Sequence, residues 1–203
     1  MKYIDLTRTI TPDLPGWPND PPLKLEQFVK YGFIVDNMLH TAMHVGTHID
    51  VAQHMIVGGK SVAQYPPEKF IGRGVLLDAR NQEVIDIDML ENVDIRSGDI
   101  VLILTGCEKI YGTPAYFEKY PVFTEPFAHK LVELGVKIVG MDSPSPDCCP
   151  FPVHKILLAN DLLIIEMMTN LDQLLNITKF EVIALPPKFD TAGAFVRAIA
   201  RVE

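Results

Sequence analysis

The stretch "DIVLILTG" (99–106) places five consecutive aliphatic residues, Ile100 to Leu104, between an aspartate and a glycine. A short apolar run bounded by turn-forming residues is typical of a buried strand. Runs of the same kind recur along the chain: "GVLLDA" (74–79), "VKIVGMD" (136–142), "LLIIEMM" (162–168) and "FEVIAL" (180–185). The sequence therefore predicts a sheet of buried strands.

Helical spacing is found in "TEPFAHKLVELG" (124–135), which has a proline in its first turn and a glycine at its end, as helix capping predicts. Short helices are also predicted over 86–93 and 152–160. The segment 193–202 alternates in polarity and is interpreted as a strand with one solvent-facing side.

Two proline-rich stretches, 11–22 and 142–152, are predicted to be irregular loops, because proline fixes φ and removes a hydrogen-bond donor. Strands outnumber helices and partly follow one another. We therefore expect an α/β or α+β fold, with one domain over residues 1–203, mixed β-sheet layers and few helices.

The composition excludes several classes of function. The net charge is −8 and no basic cluster is present, so we expect no nucleic-acid partner. No run of apolar residues is long enough to span a bilayer, and the N-terminus does not resemble a secretory signal. We expect a cytoplasmic protein without a membrane partner. Cys107, Cys148 and Cys149 fit a reducing compartment, with a redox or metal pair at Cys148–Cys149 as the alternative.

Three of the six histidines lie in eleven residues, "HVGTHIDVAQH" (44–54). On a straight strand His44 and His48 would lie ~13 Å apart at ~3.3 Å per residue, too far to share one ion at ~2 Å. A straight helix would turn Asp50 away. A bend at Gly46 allows all three side chains to converge. Two imidazoles and a carboxylate suit Zn²⁺ or Mn²⁺; the alternative is a histidine-containing surface loop.

Further ligands are expected elsewhere in the chain. His154 follows a proline-rich loop, and Glu166 interrupts an apolar strand, where a buried carboxylate is costly unless it is paired or binds metal. The alternative for Glu166 is an edge strand with its side chain in water. Thr47 is expected to donate its hydroxyl to a ligating carboxylate. His129 is interpreted as a surface residue, and His40 is left unassigned.

The motif resembles the signature His-x-Gly-Thr-His-x-Asp-x-x-x-His of the metal-dependent cyclase/hydrolase family, which includes bacterial kynurenine formamidase. Collinear blocks from "IDLTRTITPDLPGWPND" to "IALPPKFDTAGAFVRAIA" extend the resemblance over nearly the whole chain. One departure follows the ligand aspartate, where many relatives have Ala-Pro and this chain has Val51-Ala52-Gln53.

The resemblance implies a role for each site residue. His44, His48 and Asp50 would bind a first ion, and Asp50 and Glu166 would bridge to a second, which His154 also binds. His54 would transfer protons. Trp17 would form a wall of the substrate pocket; its alternative role is as a core anchor. The implied fold is a swivelling β/β/α-like domain that assembles as a homodimer or homotetramer.

The function that the resemblance implies is hydrolysis of a small-molecule aryl amide. The expected reaction is that of an arylformamidase in tryptophan catabolism, which cleaves N-formyl-L-kynurenine to L-kynurenine and formate through metal-bound hydroxide. The expected cofactor is Zn²⁺, two ions per chain, with Mn²⁺ as an alternative. Alternative functions are a lactam or imide hydrolase that resembles isatin hydrolase, and a non-catalytic metal-binding module.

Overall fold

The computed structural model describes residues 1–202, and one nine-stranded sheet organises them. The thirteen strands are β1 (Lys2–Asp5), β2 (Lys24–Lys30), β3 (Ile34–His40), β4 (His48–Asp50), β5 (Ile71–Asp78), β6 (Val84–Ile85), β7 (Ile100–Leu104), β8 (Val122–Phe123), β9 (Ile138–Met141), β10 (Leu163–Glu166), β11 (Phe180–Leu185), β12 (Gly193–Phe195) and β13 (Arg197–Val202). The order across the large sheet is β1-β13-β11-β5-β7-β9-β10-β4-β12, and β2–β3 and β6–β8 form two small sheets.

The centre of the large sheet is parallel and its flanks are antiparallel. Strands β5, β7, β9 and β10 run in parallel, and antiparallel strands extend both sides. The five apolar runs of the sequence form β5, β7, β9, β10 and β11, so the predicted strands are confirmed. On β7, Ile100 and Leu102 pack into one core and Val101 and Ile103 into another, because side chains alternate between the two faces.

The prediction of a single strand over 193–202 is wrong. It forms β12 and β13, which are separated only by Val196. Strand β12 pairs with β4 at one edge of the sheet, and β13 pairs with β1 and β11 near the other edge. Since one residue joins strands near opposite edges of the sheet, the sheet curls around the core that contains Ile100 and Leu102.

The three α-helices are α1 (Ala115–Glu118), α2 (Glu125–Glu133) and α3 (Pro152–Ala159), and α2 and α3 pack against the core that contains Val101 and Ile103. The Thr124 hydroxyl caps α2 by accepting a hydrogen bond from the Phe127 amide, so the predicted start is confirmed. Helix α3 is also confirmed. The helix predicted over 86–93 is wrong, since only a 3₁₀ turn forms at Ile87–Leu90. Across residues 1–202, no helix has the length and apolar character needed to cross a bilayer.

The hairpin of β2 and β3 was not predicted from the sequence. The two strands pair in register from Lys24↔His40 to Lys30↔Ile34. Most of the side chains are exposed, including large apolar ones such as Val29, Val35 and Met38. The expected alternation of a half-buried strand is absent because the hairpin projects away from both cores.

The mixed α/β architecture with few helices is therefore confirmed. The proline-rich stretches 11–22 and 142–152 are irregular, as predicted. The stretch 11–22 contacts the chain just before β4 through a bridge between Gly16 and Val45, and the stretch 142–152 leads into α3. Both therefore lie next to elements that carry predicted ligands.

Candidate metal centre

Strand β4 lies between β10 and β12 and carries two of the predicted ligands. His48 pairs with Glu166, and Asp50 pairs with Ile164, across the β4–β10 ladder. Because side chains alternate along a strand, His48 and Asp50 share one face, while Ile49 points into the core on the other. The sheet therefore presents an imidazole and a carboxylate side by side.

The chain bends at Gly46, whose φ of +62° lies in the left-handed region. A Cβ at this position would also lie 3.0 Å from Leu14 Cδ2. The bend turns His44 back onto β4, so that its Nδ1 lies 2.6 Å from Asp50 Oδ1. A Cβ on Gly193 would lie 2.7 Å from His44 Cε1, so this glycine makes room for the ring. The predicted bend is confirmed, and the role of Gly193 was missed.

Glu166 and His154 complete the cluster from β10 and α3. Glu166 is buried, and its two oxygens lie 3.3 Å from His48 Nε2 and 3.3 Å from His154 Nε2. His154 Nε2 also lies 3.8 Å from Asp50 Oδ2. Strand β10 pairs on both sides, so the alternative of an edge-strand Glu166 in water is wrong. All five residues predicted as ligands are brought together.

Two buried atoms of the cluster have no hydrogen-bond partner within residues 1–202, namely His48 Nε2 and Glu166 Oε1. Buried polar atoms are nearly always paired, and a cation between nitrogen and oxygen donors would satisfy both. Donor atoms within 4.8 Å of one another form two groups: His44, His48 and Asp50, and Asp50, His54 and His154. Asp50 belongs to both groups. The residues present therefore fit a divalent metal centred on this carboxylate.

The electrostatics of the cluster favour cations. Burial lowers the pKa of His48, but the carboxylates of Asp50 and Glu166 outweigh it and raise that pKa to about 9. Burial is likewise outweighed at His154, where Asp147 and Glu166 raise the pKa to about 10. Burial raises the pKa of Asp50, and the neighbouring imidazoles hold it well below its usual range. Asp50 therefore favours its charged form inside the protein, and a metal ion would compete with protons for the imidazoles around it.

His54 follows β4 in a 3₁₀ turn and is partly buried. Its ring centroid lies 4.1 Å from that of His44 and 6.1 Å from that of His154. Burial lowers the pKa of His54, and the positive charges of His44 and His154 add to the effect, against the opposing influence of Asp50. The ring therefore holds a proton less tightly than a free imidazole, and it lies beside the donor groups. Its predicted role in proton transfer remains a prediction, because its position also suits a ligand.

A cavity of about 300 Å³ opens above the cluster. Trp17, Phe151 and Met167 form apolar parts of its lining, and Asp20 adds a carboxylate. Trp17 is half-buried and makes an edge-to-face contact with Phe117 at 5.8 Å. The tryptophan lines this cavity and lies outside the main cores, which matches the pocket wall implied by the resemblance.

The expected role of Thr47 is wrong. Its hydroxyl donates to the carbonyl oxygen of Met167 at 2.8 Å and accepts from the amide of Arg8 at 3.0 Å. The Arg8 guanidinium donates to the carbonyl oxygens of Met167 and Met168. Thr47 faces away from Asp50 because it alternates with His48 along the chain. Both residues instead hold the backbone that follows Glu166.

The remaining histidines and cysteines lie away from the donor groups. His40 and His129 are exposed, so the surface assignment of His129 is confirmed. Cys107 is buried, and Cys148 and Cys149 are exposed free thiols. Asp147, which contacts His154, was missed, although its position in a proline-rich loop just before a helix was a usable signal.

The curled mixed sheet and the histidine–carboxylate cluster under an open cavity define a class of α/β proteins with a buried site for divalent metal. Within this class, the chain belongs to the family described as putative cyclase, whose family model matches residues 4–148. The family resemblance found in the sequence is confirmed.

Relatives share nearly the whole chain. An uncharacterized protein of Methanocaldococcus jannaschii is 34% identical over 202 residues, which cover 98% of this chain and 99% of that protein. Kynurenine formamidase of Geobacillus thermodenitrificans is 29% identical over 206 residues, covering 98% and 97%. Isatin hydrolase A from Ralstonia solanacearum has a similar structure, with a TM-score of 0.90, 25% identity, and coverage of 100% of this chain and 92% of that chain.

Proposed function

We propose that this protein is a metal-dependent amide hydrolase, and specifically an arylformamidase that converts N-formyl-L-kynurenine to L-kynurenine and formate, a step of tryptophan breakdown. The observation that carries the proposal is the partly buried His54 ring beside the donor groups, in a cavity with an aromatic wall. A kynurenine formamidase aligns over nearly the full length of the chain, which supports the same activity.

The donor residues His44, His48, Asp50, His154 and Glu166 would hold one or two ions. Zn²⁺ is the proposed cofactor at two ions per chain, with Mn²⁺ as the alternative, because imidazole and carboxylate form a borderline-hard ligand set. A bound divalent ion lowers the pKa of water from ~15.7 to about 7 and polarises a carbonyl group.

The chain's own residues supply the rest of the chemistry. Trp17 stacks on the aryl ring and directs the formamide toward the base of the cavity. His54 accepts a proton from the attacking water as oxygen adds to the formyl carbon. It then returns that proton to the aniline nitrogen as the carbon–nitrogen bond breaks. Formate and the free aryl amine are the products.

Asp20 supplies a group that suits the amino-acid substrate. This residue lines the cavity, and its carboxylate would pair with the α-ammonium group of N-formyl-L-kynurenine. Isatin has no ammonium group. The Asp20 carboxylate would therefore contribute to binding of N-formyl-L-kynurenine and not to binding of isatin.

The second candidate function is hydrolysis of a lactam such as isatin, which is favoured by the structural similarity to isatin hydrolase A over the whole chain. The two activities are compared on the same metal-loaded preparation, with formate release and isatin ring opening as readouts. We expect a higher kcat/KM for N-formyl-L-kynurenine. The opposite order would support the lactam hydrolase. Metal binding without either activity would support the non-catalytic module.

We further propose that the protein forms a homo-oligomer through the β2–β3 hairpin. One face of the hairpin consists of Leu25, Gln27, Val29, Val35, Asn37 and Leu39, which pair across the two strands. This face carries no charge, although the net charge of the chain is −8. An isolated two-stranded hairpin is marginally stable in water, and a second copy can cover this face without bringing like charges together.

A further inference from the structure

Asp147 lies in the middle of the proline-rich loop 142–152, seven residues before His154, and is only 4% exposed. Its Oδ1 lies 2.5 Å from His154 Nδ1. Its Oδ2 accepts hydrogen bonds from the amides of Val153, at 2.7 Å, and His154, at 3.2 Å. One buried carboxylate therefore holds both the imidazole ring and the first turn of α3, which carries that ring.

The contact determines which nitrogen of His154 faces the donor cluster. With Nδ1 bonded to Asp147, the opposite nitrogen, Nε2, lies 3.3 Å from Glu166 Oε1 and 3.8 Å from Asp50 Oδ2. A carboxylate on the far nitrogen fixes the orientation of a ligating imidazole and makes it a stronger ligand. The geometry of His154 is thus set from outside the donor groups.

The other two histidines are oriented differently. His48 Nδ1 bonds to the carbonyl oxygen of Gly46 at 2.8 Å, and His44 Nδ1 contacts Asp50, which is itself a proposed ligand. Among the three histidines, only His154 is oriented by a side chain outside the proposed ligand set. Asp147 can therefore be changed without removing a donor atom.

We propose that Asp147 is a positioning residue of the metal centre, which orients His154 so that Nε2 faces Asp50 and Glu166. The inference rests on the proposed function only in requiring that these residues bind a divalent ion. It does not depend on which amide is the substrate.

The test compares Zn²⁺ affinity in Asp147→Asn and Asp142→Asn by competition with a chromophoric chelator, a measurement that needs no activity. Asp142 is a matched control, since it is also buried and accepts hydrogen bonds from the amides of Thr105 and Gly106 without contacting a histidine. We expect Asp147→Asn to weaken Zn²⁺ binding by ~10–100-fold, the usual effect of removing such a partner. Asp142→Asn should stay within about threefold of the unaltered protein. Equal losses in the two variants would overturn the proposal.

A double-mutant cycle separates positioning from a general loss of structure. In a His154→Ala background, adding Asp147→Asn should cost little further Zn²⁺ affinity, because the ring on which Asp147 acts is gone. A full additional loss in that background would overturn the proposal. If Asp147→Asn does not fold, Asp147→Glu keeps the buried charge but displaces the carboxylate by one methylene. Folded Asp147→Glu should bind Zn²⁺ at least several-fold more weakly, and unchanged binding would overturn the proposal.

The outcomes also distinguish this inference from the proposed function. If the unaltered protein binds no divalent metal, both fail. If it binds metal but hydrolyses neither substrate, the proposed activity fails while the affinity comparison still tests Asp147. If it is an active hydrolase with equal affinities in the Asp147 and Asp142 variants, only the positioning role fails.

Discussion

The donor cluster and the β2–β3 hairpin depart from the usual distribution of side chains in opposite directions. The cluster buries Asp50 and Glu166, residue types that are mostly exposed unless paired. The hairpin exposes Val29 and Val35 at 57% and 58%. Each departure has a cost in an isolated chain, and each would be relieved by the binding proposed above: a cation for the buried carboxylates, and a second copy of the chain for the apolar face.

The two regions also differ in how the sequence encodes them. The cluster is specified by side chains that fit one place and orientation, so single substitutions there should have large effects. The hairpin is specified by a general apolar character over several residues, so a single substitution acts there chiefly by adding charge. The following predictions test this contrast.

Asp50→Asn should have the largest effect. Asp50 belongs to both donor groups, and the amide removes the charge that offsets the cations. We expect loss of metal affinity beyond the ~10–100-fold of an indirect partner, together with loss of activity. Elemental analysis after dialysis measures the metal. Asp99→Asn is the control, because Asp99 is a buried carboxylate paired with Arg73, and it should retain metal. Two ions held with normal affinity in Asp50→Asn would contradict the central role of this carboxylate.

His54→Ala should lower kcat by ~10²–10⁴-fold, the usual contribution of a positioned acid or base, while metal content and fold are retained. The loss should be smaller for formanilides with nitro substituents, whose leaving amines need less protonation. Steady-state kinetics and elemental analysis measure both effects. His129→Ala, at an exposed histidine on α2, should behave as the unaltered chain. A variant that loses metal would make His54 a ligand.

Val35→Glu should weaken self-association by ~10²-fold or more, because like charges facing each other across an interface cost several kcal/mol. Light scattering should show the unaltered chain as a dimer or tetramer and the variant at the 22.7 kDa of one chain. Val84→Glu is a matched control at an exposed valine on β6, and it should not change the mass. A monomeric unaltered chain, or equal masses for both variants, would count against the hairpin interface.

Trp17→Ala should raise KM for aryl substrates by tens-fold, since stacking on an aromatic side chain contributes roughly 1–3 kcal/mol. Trp17→Phe keeps a ring in the cavity and should have a smaller effect. Thermal unfolding checks the alternative role as a core anchor. If Trp17→Ala melts early and binds substrate normally once folded, Trp17 is structural.

The pH dependence of metal binding tests the donor cluster without any substitution. Without metal, the pKa of His48 is raised to about 9 and that of His154 to about 10. Protons therefore compete with the metal below these values, and affinity should rise by about tenfold per pH unit for each proton released. The same raised pKa values stabilise the metal-free fold below pH ~6.5, and this contribution is lost as pH rises through 9 to 10. Calorimetry in buffers of different ionisation enthalpy counts the protons, and pH-independent affinity would contradict the expectation.

Much of the fold and of the site was accessible from the sequence because it depends on local patterns. The five apolar runs became strands, since aliphatic runs of this length can be buried only inside a sheet or core. The bend at Gly46 followed from the reach of an imidazole and the length of a strand. The family signature linked Glu166 and His154 to the motif, which local spacing could not do.

Other features are invisible to local patterns because they depend on residues far apart in the chain. Thr47 binds the Met167 carbonyl oxygen rather than a ligand, and Gly193 makes room for His44, only because β4 lies between β10 and β12. Whether β2 and β3 would be covered depends on packing against the body of the protein, which their sequence does not specify.

The sequence by itself determined the buried strands, the predicted ligand residues of the motif and the family, since each depends on consecutive residues or on a fixed spacing. Tertiary structure alone decided how Asp147 orients His154, how Asp50 came to belong to two donor groups, and which apolar side chains stayed exposed. The physical reason is that hydrogen bonds and burial depend on distances in space, and the curling of the sheet sets those distances between residues more than a hundred positions apart, such as His48 and Glu166.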